Sequence, residues 1–78
     1  MMNSDVIDQA SERFANRLVK ESGGDLRAAV DLAYRVALGR LPSETERERA
    51  RAYLDNDATR LKGLAWILFN LDEFIYLP

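Results

Sequence analysis

The stretch that decides the fold is GRLPSETE, residues 39–46, because it contains both the end of one helix and the start of the next. Gly39 suits the left-handed conformation that commonly follows a helix C-terminus, and Pro42 cannot continue that helix. Ser43, followed three residues later by Glu46, is the pattern of a capping box. The sequence therefore predicts two helices joined by a short turn.

On both sides of this turn, apolar residues recur at helical spacing, and the alternation typical of a β-strand does not extend over a strand's length. We predict an all-α fold: a compact four-helix, orthogonal or bundle-like single domain with no strands. The predicted helices cover residues 4–20, 25–38, 43–54 and 59–70, and a short C-terminal tail follows at residues 71–78.

The breadth of each apolar face predicts how these helices are arranged. The second predicted helix has a broad apolar face, as expected for a helix that packs against two or more neighbours, and the second and fourth should lie at the centre. The third is mostly charged and should lie at the periphery. In the first, the predicted apolar stripe consists of Val6, Ile7, Ala10, Phe14 and Leu18.

Composition argues against several kinds of chemistry. The chain of 78 residues has no cysteine and no histidine, so it lacks thiolate chemistry, the commonest general base and the commonest metal ligand. No serine or threonine has a base that could activate it. We therefore expect no catalytic residue, no metal and no cofactor. The net charge of −2 offers no electrostatic attraction to nucleic acid or to an anionic membrane.

The most apolar part of the chain is GLAWILFNLDEFIYLP, residues 63–78. Its uninterrupted apolar run, residues 64–69, is far shorter than the roughly 20 residues that a membrane-spanning helix needs. Trp66 falls on the opposite side of the predicted helix from its apolar face. Either the tail folds back and covers this ring, or Trp66, Phe69 and Tyr76 form an exposed patch for a protein partner.

Two groups of charged residues raise the possibility of a catalytic site or a phosphate-binding site. Asp72 and Glu73 resemble an acid/base pair, but adjacent residues point in different directions on a helical turn, which favours a capping or salt-bridging role. Arg40, Arg47 and Arg51 could bind phosphate. Glutamates surround them in the sequence, which favours a solvated helix with ion pairs between residues four positions apart.

The chain resembles a known family at AYRVALGRLPSETERERARAYL and, further on, at LAWILFNLDEFIYLP. It looks like the C-terminal end of the planctomycete-type PSD-one domain, a large bacterial family of unknown function. A similar "Y…GR-P" segment followed by "S-x-EF" occurs in phycobilisome linkers and in a helical bacterial family of unknown function. This chain has Asn70-Leu71 where a small residue often precedes "x-EF". The likeness is carried by Tyr34, Gly39, Arg40, Pro42, Glu46, Ala65, Trp66, Leu68, Asn70, Glu73 and Phe74.

The resemblance implies a piece of a larger bacterial protein, whose relatives often carry a signal peptide and cytochrome c-like domains. It supplies no catalytic residue, and it implies an extracytoplasmic location for the parent protein. Structural roles are expected for Gly39, Arg40, Pro42, Ser43, Glu46 and Phe74. We predict a non-catalytic helical module, monomeric in isolation, that packs against or recruits other domains of its parent protein or a protein partner. One alternative is part of an enzyme domain completed by the rest of the parent chain, and the other is a weak nucleic-acid binder.

Overall fold

The computed structural model describes residues 4–71, and the regular structure within that range is entirely helical. The α-helices are α1 (Ser4–Ser22), α2 (Leu26–Leu38), α3 (Glu44–Leu54) and α4 (Leu61–Phe69), and a 3₁₀ turn at Ala58–Arg60 precedes α4. No strand occurs in residues 4–71. The predicted all-α, four-helix fold is confirmed.

Polar caps determine where the helices begin and end. The Asp25 side chain accepts hydrogen bonds from the backbone N–H groups at the start of α2, and Gly39 ends this helix with a left-handed φ of 73°. Asp57 accepts from the Thr59 N–H at 3.0 Å, which forms the 3₁₀ turn. The α-helical part of α4 therefore begins at Leu61, later than the predicted residue 59.

Arg40 and Glu46 join the end of α2 to the start of α3. The Arg40 guanidinium donates two hydrogen bonds to the Glu46 carboxylate, at 2.8 and 2.9 Å. The same carboxylate accepts from the Ser43 N–H at 2.8 Å, and the Ser43 hydroxyl accepts from the Glu46 N–H at 3.2 Å. Arg40 also lies over the Tyr34 ring, 5.8 Å from its centroid. We call Tyr34, Arg40, Ser43 and Glu46 the α2–α3 clasp.

The core is formed mainly by α1, α2 and α4. Both α2 and α4 contact all the other α-helices, as expected for central elements. From α3 only Ala50 and Leu54 are buried, so this helix lies at the periphery. The buried apolar residues are Phe14, Ala15, Leu18, Ala29, Val30, Ala33, Tyr34, Ala37, Leu38, Ala50, Leu54, Leu61, Leu64, Ala65, Leu68 and Phe69.

The buried face of α1 is rotated from the predicted stripe. Val6 is 46% exposed, so its predicted place in the stripe was wrong, whereas Ser11 is fully buried. The apolar face continues from Phe14 and Leu18 toward Ala15, which is also buried. The Ser11 hydroxyl is buried without a hydrogen-bond partner in residues 4–71.

We expect Ser11→Ala to increase the free energy of unfolding. It removes an unsatisfied buried hydroxyl, a change worth about 1 kcal/mol or more, and alanine has the higher helix propensity. Urea denaturation of both proteins measures the difference. Ser22→Ala, which removes a hydroxyl bonded to the Val19 carbonyl at 3.4 Å, is the control and should not stabilise the protein. A loss of stability in Ser11→Ala would mean that the hydroxyl is satisfied.

We expect the clasp to make stability depend on pH. Hydrogen bonds from Arg40, and next from the Ser43 backbone, lower the pKa of Glu46 from 4.5 to about 2. Because the folded-state pKa is lowered, the stabilisation is present in full above pH 4.5 and is lost as the pH falls toward about 2.

At pH 7, Glu46→Gln should lower the free energy of unfolding by about 1–2 kcal/mol, since the Glu46 side chain is only 27% exposed. The difference from the unmodified protein should shrink as the pH is lowered, and urea denaturation at several pH values measures it. Glu44→Gln is the matched control, because the Glu44 side chain is 89% exposed. A Glu46→Gln effect that is constant with pH would contradict the assigned cause.

Candidate interaction surface

An aromatic and apolar surface lies on the side of α4 that faces away from the core. Gly63, Trp66 and Ile67 lie on this side, and Tyr53 of α3 packs on Gly63. Ile67 is 49% exposed, Tyr53 is 39% exposed and Trp66 is half-buried. We call these residues the outer α4 surface.

Tyr53 is held in place from two sides. Its hydroxyl occupies the space that a Cβ atom at Gly63 would need, and its Cζ atom lies 2.9 Å from that position. On the other side, Arg60 donates to the Tyr53 carbonyl oxygen at 3.0 Å, and its guanidinium lies 6.0 Å from the ring centroid. The position of this ring therefore depends on the absence of a side chain at Gly63.

Trp66 lies on α4, close to Asp8 of α1. The Lys62 ammonium binds Asp8 of α1 at 3.0 Å. The pKa of Asp8 is lowered, first by the hydrogen bond from Lys62 and also by one from the Trp66 side chain. The Asn70 side chain donates to the Trp66 carbonyl oxygen at 2.7 Å. Trp66 thus lies near Asp8 with its backbone carbonyl bonded by Asn70, and the residue remains partly exposed.

The predicted exposed patch of Trp66, Phe69 and Tyr76 was wrong in including Phe69. Phe69 is only 6% exposed and stacks on Phe14, with 5.6 Å between ring centroids. It continues the buried row of Leu61 and Ala65, four residues apart along α4, and so it cannot belong to an exposed patch. Tyr76 lies outside the described residues. So does the rest of the C-terminal tail, which was predicted as a possible cover for Trp66.

Tyr53 and Ile67 are the members of this surface that the sequence pattern did not identify. Ile67 lies four residues after Gly63, which places both on one side of α4. This spacing could have identified Ile67 from the sequence. For Tyr53 no local signal existed, because its role comes from packing against a glycine on a different helix.

The arginines considered for phosphate binding are all paired with carboxylates. Arg47 binds Asp31 at 2.9 Å, and Arg51 binds Glu48 at 3.0 Å. Arg40 is part of the α2–α3 clasp. Ion pairs within the third helix were predicted at a spacing of four residues, but the pairs found there, Glu44–Arg47 and Glu48–Arg51, are three residues apart. The pair between Arg47 and Asp31 of α2 was not predicted.

The other candidate residues fall into two groups. Gly39, Arg40, Ser43 and Glu46 cap or join helices as described above, and Pro42 is buried in the turn between α2 and α3. Asp72, Glu73 and Phe74 lie outside the described residues.

Residues 4–71 contain neither a membrane-spanning helix nor a cluster of metal ligands. None of the helices there is long and apolar enough to cross a lipid bilayer. The same residues contain no group of three or more acidic, histidine or cysteine side chains that could hold a metal ion.

Comparison with known proteins gave no match to a family model, to a curated protein or to a solved structure.

We expect the effect of Gly63→Ala to change sign with the residue at position 53. Alanine is favoured over glycine in a helix by about 1 kcal/mol. With Tyr53 present, the new Cβ displaces the phenol ring, which should cancel or reverse that gain. With Tyr53→Ala, the space is free and Gly63→Ala should stabilise the protein by about 1 kcal/mol.

Urea denaturation of the two single variants, the double variant and the unmodified protein forms a double-mutant cycle. The expected coupling is about 1–2 kcal/mol. Additive effects would show that Tyr53 and Gly63 are not in close contact.

Proposed function

We propose that this chain is a non-catalytic helical module that docks through the outer α4 surface onto another domain of a larger bacterial protein or onto a protein partner. The proposal rests on one observation. Two large aromatic side chains, Tyr53 and Trp66, lie at the surface beside Ile67, which is half exposed, and Tyr53 is held there by its packing on Gly63.

Such an arrangement has the physical properties of a binding anchor. Tryptophan and tyrosine are enriched among the residues that contribute most to protein–protein affinity. Side chains that are already ordered lose less conformational entropy on association, so more of the contact energy remains as affinity. For Tyr53, the packing of its ring on Gly63 and the Arg60 guanidinium, 6.0 Å from the ring centroid, provide that order.

Charge also favours a protein partner over nucleic acid. Binding to nucleic acid depends on cations that are free to replace counterions on phosphates. Arg40, Arg47 and Arg51 are each engaged by a carboxylate in this chain, so releasing them would cost existing ion pairs. This observation favours binding to a protein over binding to nucleic acid.

The resemblance to the C-terminal end of the PSD-one domain motivates the choice of partner. If the chain belongs to a larger protein, the other domains of that protein are the nearest candidates. The enzyme alternative depends on Asp72 and Glu73, and no contact among residues 4–71 favours it.

The test is an NMR titration of the isotopically labelled chain with the remaining domains of the parent protein, produced separately. The amide signals of Tyr53, Gly63 and Ile67 and the indole N–H signal of Trp66 should shift on binding. Ile67→Asp places a charge at the centre of the surface and should weaken binding by about tenfold or more.

Val19→Asp is the matched control, since Val19 is an apolar residue of α1 with 40% exposure, similar to Ile67. It should bind as the unmodified chain does. Unmoved signals on the outer α4 surface, or equal loss of binding in the two variants, would overturn the proposal.

A further inference from the structure

An apolar segment follows the part of the chain that the structure describes. Residues 72–78 have the sequence DEFIYLP, in which Phe74, Ile75, Tyr76 and Leu77 form an unbroken run of large apolar or aromatic side chains. Removing such side chains from water is the main driving force for association. Residues 72–78 therefore gain free energy from any uncovered apolar surface within their reach.

The chain leaves its last described residue beside the outer α4 surface. Leu71 packs against the core, and its N–H donates to the Leu68 carbonyl oxygen at 3.2 Å, so its position is fixed. Ile67, a member of the outer α4 surface, lies about one helical turn before Leu71 and is 49% exposed. Uncovered apolar surface thus lies close to the point from which residues 72–78 extend.

Residues 72–78 are also long enough to cover that surface. Gly63 precedes Leu71 by eight residues, which correspond to about 12 Å along a helix axis. Seven extended residues span about 23 Å. The segment can therefore run back along α4 past Ile67 and reach the Tyr53 ring, which packs on Gly63.

We propose that residues 72–78 bind to the outer α4 surface of the same chain, with their apolar side chains on Ile67 and Tyr53. Because the segment is tethered next to its site, its effective concentration is on the order of millimolar, and a weak contact is enough to keep it bound.

This inference rests on the proposed function, because it makes the segment a competitor of the partner for one surface. A partner can bind only those molecules in which the surface is open. Its apparent dissociation constant is therefore raised in proportion to the fraction that is covered by residues 72–78.

A spin label tests the binding of the segment. The chain has no cysteine, so a single introduced one can be labelled selectively. A nitroxide on Pro78→Cys should reduce the NMR amide signals of Gly63 and Tyr53, since a bound segment brings the label close to them. Reducing the nitroxide with ascorbate should restore both signals. Full intensity of both signals while the label is active would overturn the proposal.

The matched control keeps the label and the chain length but removes the apolar side chains. It combines Pro78→Cys with Phe74→Ser, Ile75→Ser and Tyr76→Ser, and circular dichroism verifies that it is folded. The signals of Gly63 and Tyr53 should keep their full intensity in this variant. An equal loss of signal would show that the tether alone brings the label near, and would overturn the proposal.

A mixed sample distinguishes the same chain from a second copy as the site of binding. It contains the isotopically labelled, unmodified chain and the spin-labelled chain without isotopes. The signals of Gly63 and Tyr53 should not change. Their loss in this sample would assign the segment to another copy of the chain and overturn the proposal.

Competition is measured by titration with the remaining domains of the parent protein. The chain that carries the three serine substitutions should bind them about three- to tenfold more tightly than the unmodified chain. Equal affinity would overturn the competition. The spin-label experiments need no partner, so a failure of the other domains to bind either chain would count against the proposed function and not against the binding of residues 72–78.

Discussion

The paired hydrogen bonds between Arg40 and Glu46 are the interaction on which the placement of α3 against α2 depends. Glu46 accepts from a guanidinium that follows α2 and from the backbone N–H that precedes α3, so one carboxylate fixes two helix ends. The turn between them is short and contains a proline, which restricts the backbone further. Because α3 buries few apolar residues, these polar contacts matter more to its placement than they would for a central helix.

The contacts that place the outer α4 surface come from other parts of the chain. Asp8 of α1 interacts with Lys62 and Trp66, and Tyr53 of α3 fills the space above Gly63. The surface is therefore a property of the assembled fold and would not exist on an isolated α4 helix. A surface assembled in this way presents its aromatic side chains in one arrangement, which is what specific recognition requires.

The sequence predicted the features that depend on local chemistry. The capping box of Ser43 and Glu46 and the left-handed Gly39 were found where expected, since each is determined by residues a few positions apart. Helical spacing likewise predicted the buried rows of α2 and α4. Phe69 was misplaced in an exposed patch, although its spacing from Leu61 and Ala65 already put it on the buried side.

Features that depend on contacts between helices were harder to predict. The exposure of Val6 and the burial of Ser11 follow from the angle at which α1 meets its neighbours, and hydrophobicity alone does not determine this angle. The contact between Tyr53 and Gly63 arises in the same way. Ser11 is a polar residue in a buried row, and Tyr53 is a tyrosine on a mostly charged helix. The sequence pattern around them does not identify the residues that they contact in the fold.

The stacking of Phe14 on Phe69 has a consequence for how the chain is made. A ribosome synthesises the N-terminal helix first, but the helix against which that ring stacks emerges last among the described elements. Until then the nascent α1 lacks its main apolar neighbour, and in proteins most of a helix's stability comes from the packing of its apolar face. The domain should therefore acquire its native state late in translation, in a single cooperative step rather than helix by helix.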